Sequence, residues 1–319
     1  MNLARIRDLL MTRQGRLGVV VAILALLGAI ALGRGARATG VAMFVLAIAM
    51  VAAFVMLVVR PARIPRDATL QIRLAGRIRE YAPRSILDQV IGRGFPTLFH
   101  LRQALEAAAG DDKIRAVIVE IAGFEPGLAT ASELHDLIKA VRDSGKRVVA
   151  LLAGDTTRVR EYLVACGATE VVANPDTMVA MLGVAAGGLF LKGAMRKAGV
   201  DAQTLQWKEY KGAAEMFSRE EMSAPLRESL AALVGDWRSA IADKVGRTRK
   251  LDRDRARNLL GAGFLSASAA REAGLFDRVG YIEDIRAELD PGGKERKFVG
   301  LARYMRHIAY AAGHGARPR

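Results

Sequence analysis

The chain has 319 residues, of which 51% are hydrophobic, and its only cysteine is Cys166. This apolar content excludes a disordered chain, and one cysteine excludes a disulfide framework. The formal net charge of +15 suits a nucleic-acid-binding protein only if the basic residues gather on the folded part.

The positive charge lies at the two ends of the chain. Residues 1–79 carry twelve Arg against two acidic residues, residues 80–290 carry 29 basic against 30 acidic residues, and residues 291–319 carry seven against one. The middle is therefore neutral, and we expect no nucleic-acid partner. There are four His and no zinc-finger spacing, so we expect no metal site either.

Two apolar runs come first along the chain, over residues 17–33 and 38–59, with Arg34 and Arg37 between them. As helices they would span roughly 26 Å and 33 Å, against a hydrocarbon core of about 30 Å. We predict a basic tail (1–16), a transmembrane hairpin (17–59) and a linker (60–68), with the lipid bilayer as a partner. An alternative for the first run is the apolar region of a cleaved signal peptide.

Arginines flank the predicted hairpin on both sides. Four precede it, two lie inside it and three follow at residues 60, 63 and 66. Because basic residues favour the cytoplasmic side, this distribution favours both chain ends in the cytoplasm.

Strand and helix patterns alternate after the linker. The predicted strands cover residues 69–74, 114–121, 147–152 and 170–173, and the predicted helices cover 97–109, 131–144 and 158–168. This alternation of strands and helices predicts an α/β fold with a largely parallel sheet.

Helical patterns dominate the second half of the chain. We predict helices over 187–198, 223–246 and 266–274 and a strand over 202–206, with Ser223 and Ser266 as helix N-caps. Residues 69–290 are predicted to form one α/β domain with helical appendages, followed by a basic helical tail at 291–319.

A glycine turn, GFEPG at residues 123–127, follows the buried strand predicted to end at Ile121. Backbone N–H groups at such a turn can face an oxyanion, because glycine permits close approach. The alternative is an ordinary turn between a strand and a helix.

Lys211 lies between an aromatic residue and small residues in the segment WKEYKGAAEMF at 207–217. A lysine in an apolar setting loses hydration, which lowers its pKa and makes it a candidate general base. The alternative is a solvated surface lysine. Ser218 begins a capping-box pattern and is interpreted as structural, and Cys166 is expected to be a buried, inert thiol.

These segments together resemble the signal peptide peptidase A family, also called protease IV. The resemblance covers about residues 69–285 and is carried by IVEIAGFEPG (118–127), VRDSGKRVVA (141–150), YLVACGATEVVANP (162–175), LGV (182–184), EYKGAAEMFSREEMS (209–223) and EAGLFDRVG (272–280). It implies a crotonase-like, ClpP-like α/β fold and a membrane-anchored bacterial serine peptidase with a Ser/Lys dyad and no cofactor.

The resemblance also implies roles for three residues. Lys211 corresponds to the dyad lysine, Gly127 is the candidate for the oxyanion hole, and Val159 stands where short family members carry the nucleophilic serine. The chain therefore resembles the N-terminal half of the long, two-half form, in which another half supplies the serine.

Several expectations follow from this resemblance. The partners would be a serine-bearing second half or homologous subunit and signal peptides or other membrane-associated peptides, and the chain would form a homo-oligomer. The chain would be a multi-pass protein of the bacterial cytoplasmic (inner) membrane. The family's domain is expected on the outer side, whereas the arginine distribution favours the cytoplasm.

Two other functions compete with the peptidase. A membrane-anchored pseudopeptidase that binds peptides or assembles as a scaffold would equally lack the serine. An acyl-CoA enzyme on the same fold is disfavoured, because a two-span anchor and the Lys211 motif have no role there.

Overall fold

The computed structural model describes residues 63–80, 97–292 and 297–313, together with Leu46 and Ile48, which are helical. Apart from those two residues, the predicted tail (1–16) and hairpin (17–59) lie outside the described residues. Within the described ranges, no helix is both long and apolar enough to span a bilayer.

Strands and helices alternate over the described part of the chain. The strands are β1 (Ala68–Gly76), β2 (Ile114–Phe124), β3 (Arg147–Leu152), β4 (Thr156–Arg158), β5 (Glu170–Ala173), β6 (Met178–Met181), β7 (Gly263–Leu265), β8 (Arg278–Val279) and β9 (Phe298–Gly300). The helices are α1 (Leu98–Gly110), α2 (Leu128–Asp143), α3 (Val159–Ala165), α4 (Lys192–Lys197), α5 (Glu215–Ser218), α6 (Ala224–Arg249), α7 (Arg253–Leu259), α8 (Ala267–Glu272), α9 (Ile282–Leu289) and α10 (Leu301–Gly313).

The described strands form two sheets. The larger has the order β8-β5-β3-β2-β1-β9, and the smaller has the order β4-β6-β7. In the larger sheet β1 pairs with β9, β3 with β5 and β5 with β8, each in parallel, with Val149 opposite Glu170 in the β3–β5 register. In the smaller sheet β4 and β6 are parallel, whereas β6 and β7 are antiparallel. The α/β fold with a parallel sheet is confirmed.

The chain divides into two compact units. Unit 1 comprises residues 1–118, 140–147 and 292–319, and unit 2 comprises residues 119–139 and 148–291.

In unit 1, strand β1 presents one apolar face. Leu70, Ile72 and Leu74 are buried, whereas Arg73 between them is exposed. This is the alternation expected of a half-buried strand. Helix α1 begins where Thr97 accepts a hydrogen bond from the His100 N–H.

A buried carboxylate joins several segments of unit 1. The Tyr304 hydroxyl, on α10, donates to Asp111 Oδ2 over 3.1 Å, and the Lys113 N–H donates to Asp111 Oδ1 over 3.0 Å. Lys146 Nζ donates to the carbonyls of Asp111 and Ile114 over 2.8 Å and 2.7 Å. Segment 298–313, predicted as part of a basic tail, thus supplies a sheet strand and a helix with a buried tyrosine to unit 1.

In unit 2, helix α3 is buried along its length. Tyr162 on α3 donates its hydroxyl proton to the Leu275 carbonyl over 2.9 Å. After α3 the chain passes close to α2, because a Cβ added at Gly167 would lie 2.5 Å from the His135 carbonyl oxygen. Only glycine allows this approach, since real Cβ atoms do not come so close.

Cys166 lies buried beside Tyr162 in the same unit. Burial raises the pKa of the Cys166 thiol to about 12. Because the thiolate is the reactive form, this thiol is inert at neutral pH, as expected from the sequence.

The predicted elements between residues 187 and 206 differ from the structure. The helix predicted over 187–198 forms only as α4, and no strand forms over 202–206. Gly187 and Gly188 disfavour a helix. The side chain of Leu205 is fully exposed, and an alternating pattern becomes a strand only where a neighbour pairs with it.

Candidate functional site

Lys211 lies on a loop that leads into a short 3-10 turn, Gly212–Ala214, followed by α5. Its own backbone N–H donates to the Lys208 carbonyl over 3.4 Å, and Lys208 has a positive φ of 72°. The side chain of Lys211 is exposed. Within the part of the chain that the structure describes, its ammonium has no hydrogen-bond or ion-pair partner.

This environment differs from the one predicted from the neighbouring residues. Trp207 and Tyr210 are 80% and 55% exposed, so these aromatic rings do not remove water from Lys211. The apolar residues around Lys211 predict that its side chain is desolvated, but in the structure they lie on a surface loop. Desolvation of Lys211 would have to come from another polypeptide.

Two contacts hold the loop against α6. Before the lysine, Tyr210 donates its hydroxyl proton to Glu228 Oε2 over 3.0 Å, and this hydrogen bond raises the pKa of Tyr210. After the lysine, the buried Glu215 carboxylate binds Ser223, the N-cap of α6. The N-cap predicted at Ser223 is confirmed. Ser218 donates to the Ala214 carbonyl at the end of α5, so it is structural but is not an N-cap.

Val159 is the first residue of α3 and is 6% exposed. The short strand β4 leads into it, and Arg158 is the N-cap residue. A buried aliphatic side chain supplies neither a nucleophile nor a proton. The position predicted to correspond to the family's serine is therefore chemically inert in this chain.

Glu161, two residues further on, was not singled out from the sequence. Its side chain is 3% exposed, and its carboxylate accepts a hydrogen bond from the backbone N–H of Arg158 over 2.7 Å, while the backbone N–H of Phe124 also favours its charged form. Burial raises the pKa of Glu161, and the two N–H groups offset this effect only in part. The one available signal was a glutamate at the third position of a helix, where it commonly accepts from the N-cap N–H.

Glu161 bears directly on the glycine turn, because Phe124 belongs to that turn. The Phe124 N–H acts on the Glu161 carboxylate and opposes the rise of its pKa. Arg158 and Glu125 also face each other across 3.9 Å, but both are more than half exposed, and such a pair stabilises little.

Gly127 lies at the start of α2, where its carbonyl accepts from the Ala131 N–H over 2.9 Å. The positive φ and the close approach expected of this turn occur at glycines other than Gly127. Gly123 has a φ of 60°, and a Cβ added at Gly154 would lie 3.1 Å from the Gly123 nitrogen. Gly127 itself is exposed, with only Thr130 Oγ1 near its missing Cβ, at 3.9 Å.

All three predicted site residues, Lys211, Gly127 and Val159, fall within unit 2. Over the described ranges, no group of three His, Cys, Asp or Glu side chains is placed to hold a metal ion. What the site offers is one solvent-exposed amine on a fixed loop.

Comparison with known proteins gives one matching family model and several relatives in sequence. The family model described as Peptidase family S49 matches residues 140–295. The chain is 25% identical over 227 residues to the chloroplastic serine protease SPPA of Arabidopsis thaliana, covering 70% of this chain and 32% of that protein. It is 27% identical over 148 residues to Protease 4 of Salmonella typhi, covering 45% and 23%.

The matched domain and these relatives support the predicted resemblance of the chain to the signal peptide peptidase A family. Its aligned part spans about a third or less of these relatives' own length.

The solved structures similar to this chain include two with low TM-scores. The 1510-N membrane-bound stomatin-specific protease has a TM-score of 0.43 and 12% identity, covering 73% of this chain and 89% of that one. ClpP1 of Listeria monocytogenes has a TM-score of 0.37 and 12% identity, covering 67% and 92%.

Proposed function

We propose that this chain is the lysine-bearing half of a membrane-bound serine peptidase of the signal peptide peptidase type, built on the crotonase-like form of the α/β fold. The observation that carries the proposal is the contrast between Lys211 and Val159. Lys211 is held on a fixed loop with a free ammonium, whereas the position predicted for the serine is a buried valine.

The mechanism needs a serine from a second polypeptide, either a serine-bearing half or a homologous subunit. Docking of that polypeptide would bury Lys211 and exclude water from around its side chain. The neutral amine then removes the hydroxyl proton as the serine oxygen attacks the peptide carbonyl carbon. The C–N bond breaks, and the leaving amine takes that proton from the Lys211 ammonium.

Water completes the cycle. It attacks the acyl-serine ester while Lys211 accepts its proton, and the proton returns to the serine oxygen as the acid product leaves. In this scheme the donors for the oxyanion belong to the serine-bearing half.

The proposed setting is the bacterial cytoplasmic membrane, with residues 17–59 as the anchor and residual signal peptides or other membrane-associated peptides as substrates. The proposed assembly is an oligomer that joins lysine-bearing and serine-bearing halves.

A fluorophosphonate probe tests this function, because it labels only an activated serine. In membranes that contain the full assembly, we expect labelling of a serine on another polypeptide. Lys211→Ala should slow that labelling at least about 100-fold, because the base is lost. Lys211→Arg should slow the labelling to a similar extent, because arginine does not lose its proton and cannot act as a base. The exposed Lys197→Ala is the matched control and should label at the wild-type rate.

Two results would overturn the proposal. Labelling of the purified chain at one of its own serines would show that the site is not shared. An unchanged labelling rate in Lys211→Ala membranes would remove the enzymatic role and favour the second candidate, a pseudopeptidase scaffold. That candidate is supported by the burial of Val159.

A further inference from the structure

Glu215 is buried in the segment that carries Lys211. Its side chain is 1% exposed, in a stretch where residues 207–211 are all exposed. A buried carboxylate in an exposed loop is costly unless its oxygens are hydrogen-bonded. Both oxygens of Glu215 accept a hydrogen bond, and both donors belong to one residue.

That residue is Ser223. Its N–H donates to Glu215 Oε2 over 3.0 Å, and its hydroxyl donates to Glu215 Oε1 over 2.5 Å. The same hydroxyl accepts from the Leu226 N–H over 3.3 Å, which is the N-cap bond of α6. The hydrogen bond from the Ser223 side chain lowers the pKa of Glu215, so the carboxylate is ionised at neutral pH. Charge-assisted bonds of this kind are the stronger ones.

The carboxylate also fixes the turn that follows the lysine. A Cβ added at Gly212 would lie 3.1 Å from Glu215 Oε1 and 3.3 Å from Leu226 Cδ1. Residue 212 is therefore packed between the carboxylate and the first turn of α6, and a glycine there lets the backbone come close. Tyr210 is tied to Glu228 of the same helix. Lys211 is thus held on both sides by the first turns of α6.

We propose that Glu215 is the positioning residue of Lys211, because its carboxylate bonds to Ser223 fix the Lys211–Gly212 turn to α6. The ammonium is then presented at one place before the serine-bearing partner arrives. The inference rests on the proposed function of Lys211, but its mechanical part concerns this chain alone. Precise placement of a base matters because a shift of about 1 Å can cost on the order of 100-fold in rate.

The first measurement is hydrogen exchange on the full chain in detergent micelles. Glu215→Ala should speed exchange of the amides at 212–217 at least about tenfold, with β3 and β5 unchanged. Glu215→Gln keeps one acceptor oxygen and should recover most of the protection. The control is Ser218→Ala, which removes a hydroxyl from the same segment without touching α6. If Glu215→Ala does not fold, Ser223→Ala removes the hydroxyl bond from the other side.

The second measurement is fluorophosphonate labelling of the serine partner in membranes that carry each variant. Glu215→Ala should lower the maximal labelling rate about tenfold or more, with the probe concentration for half-maximal rate within about twofold, and Glu215→Gln should restore most of it. Unchanged exchange and unchanged labelling in Glu215→Ala would overturn the inference. So would loss of folded protein that Glu215→Gln does not rescue.

The two proposals fail in different ways. If Lys211→Ala leaves labelling intact while Glu215→Ala still speeds exchange, the proposed function is wrong, but Glu215 still fixes the Lys211–Gly212 turn to α6. If Lys211→Ala abolishes labelling and Glu215→Ala changes nothing, the function stands and the positioning role of Glu215 is wrong.

Discussion

At the scale of single residues, the type of side chain and its surroundings carry separate information. Lys211 was found from its motif, and the structure places it on a loop as an exposed amine. Glu161 was missed, because only the fold brings the Phe124 N–H to its carboxylate. The sequence predicts Gly127 as the oxyanion-hole glycine, yet the backbone geometry that requires a glycine lies at Gly123 and Gly154.

Asp277 shows the same dependence on distant residues. Its carboxylate accepts from Arg249 Nη1 over 2.8 Å, from Arg249 Nη2 over 3.0 Å and from the Val171 N–H over 2.7 Å. Burial acts to raise the pKa of Asp277, but these hydrogen bonds outweigh it, so its pKa lies below the ordinary value. A depressed folded pKa means that this carboxylate stabilises the fold above its unfolded pKa, about 3.9, and that the contribution is lost as pH falls through the folded pKa.

We therefore expect Asp277→Asn to lower the free energy of unfolding by about 1–2 kcal/mol at pH 7, the low end for bonds to a charged group, because the Asp277 side chain is 39% exposed and solvent screens it. The difference from wild type should shrink as pH falls below about 4, because the carboxyl takes up its proton first in the unfolded state and then, at lower pH, in the folded state. Urea unfolding at several pH values measures it. Asp136→Asn is the control, because Asp136 is 62% exposed in its pair with Lys244 and should contribute less than about 1 kcal/mol. A constant difference between pH 3 and pH 7 would contradict the assignment.

At the scale of elements, strands buried on both faces and helices with chemical caps were predicted best. Strands β3 and β5 have the predicted bounds, and α6 and α8 begin after Ser223 and Ser266 as expected. Local chemistry decides these positions, because a serine cap satisfies N–H groups within its own turn. The short strands β4, β6, β7, β8 and β9 were missed, since their pairing partners are distant in sequence.

Helix α10 gives a test at this scale. Its Tyr304 is fully buried, and burial raises the pKa of the hydroxyl, which donates to the buried Asp111. Tyr304→Phe leaves a buried carboxylate oxygen without that donor, so we expect a loss of about 1–3 kcal/mol in the free energy of unfolding. Urea unfolding followed by circular dichroism measures the loss.

The matched control is Tyr281→Phe, whose ring is 47% exposed and whose substitution should change stability by less than about 0.5 kcal/mol. Equal stability of the two variants would mean that α10 does not depend on the buried hydroxyl.

At the scale of the whole molecule, the net charge of +15 is a sum over regions with different roles. The domain that carries Lys211 is neutral, and the excess lies on the flanks of the predicted membrane anchor and at the C-terminal end. Such a distribution favours a bilayer over nucleic acid as a partner.

The same distribution predicts the topology. Because arginines flank the hairpin at both ends, we expect a green fluorescent protein fused after Arg319 to fluoresce, which requires a cytoplasmic location. A matched fusion after Arg37, between the predicted spans, should be dark, and a β-lactamase there should confer resistance. The opposite pattern would place the domain on the outer side, where the family's domain is expected, and would overturn the charge argument.

By itself, the sequence predicted the α/β class, the N-caps at Ser223 and Ser266 and the resemblance to the family, because each depends on residue type and short-range spacing. Only the tertiary structure decided that Lys211 is exposed, that Glu161 is buried and that Glu215 holds the lysine loop to α6. These features depend on which distant groups meet and on how much water remains around them. A pattern of side chains along a chain fixes neither, because burial and hydrogen-bond partners arise only when the elements pack.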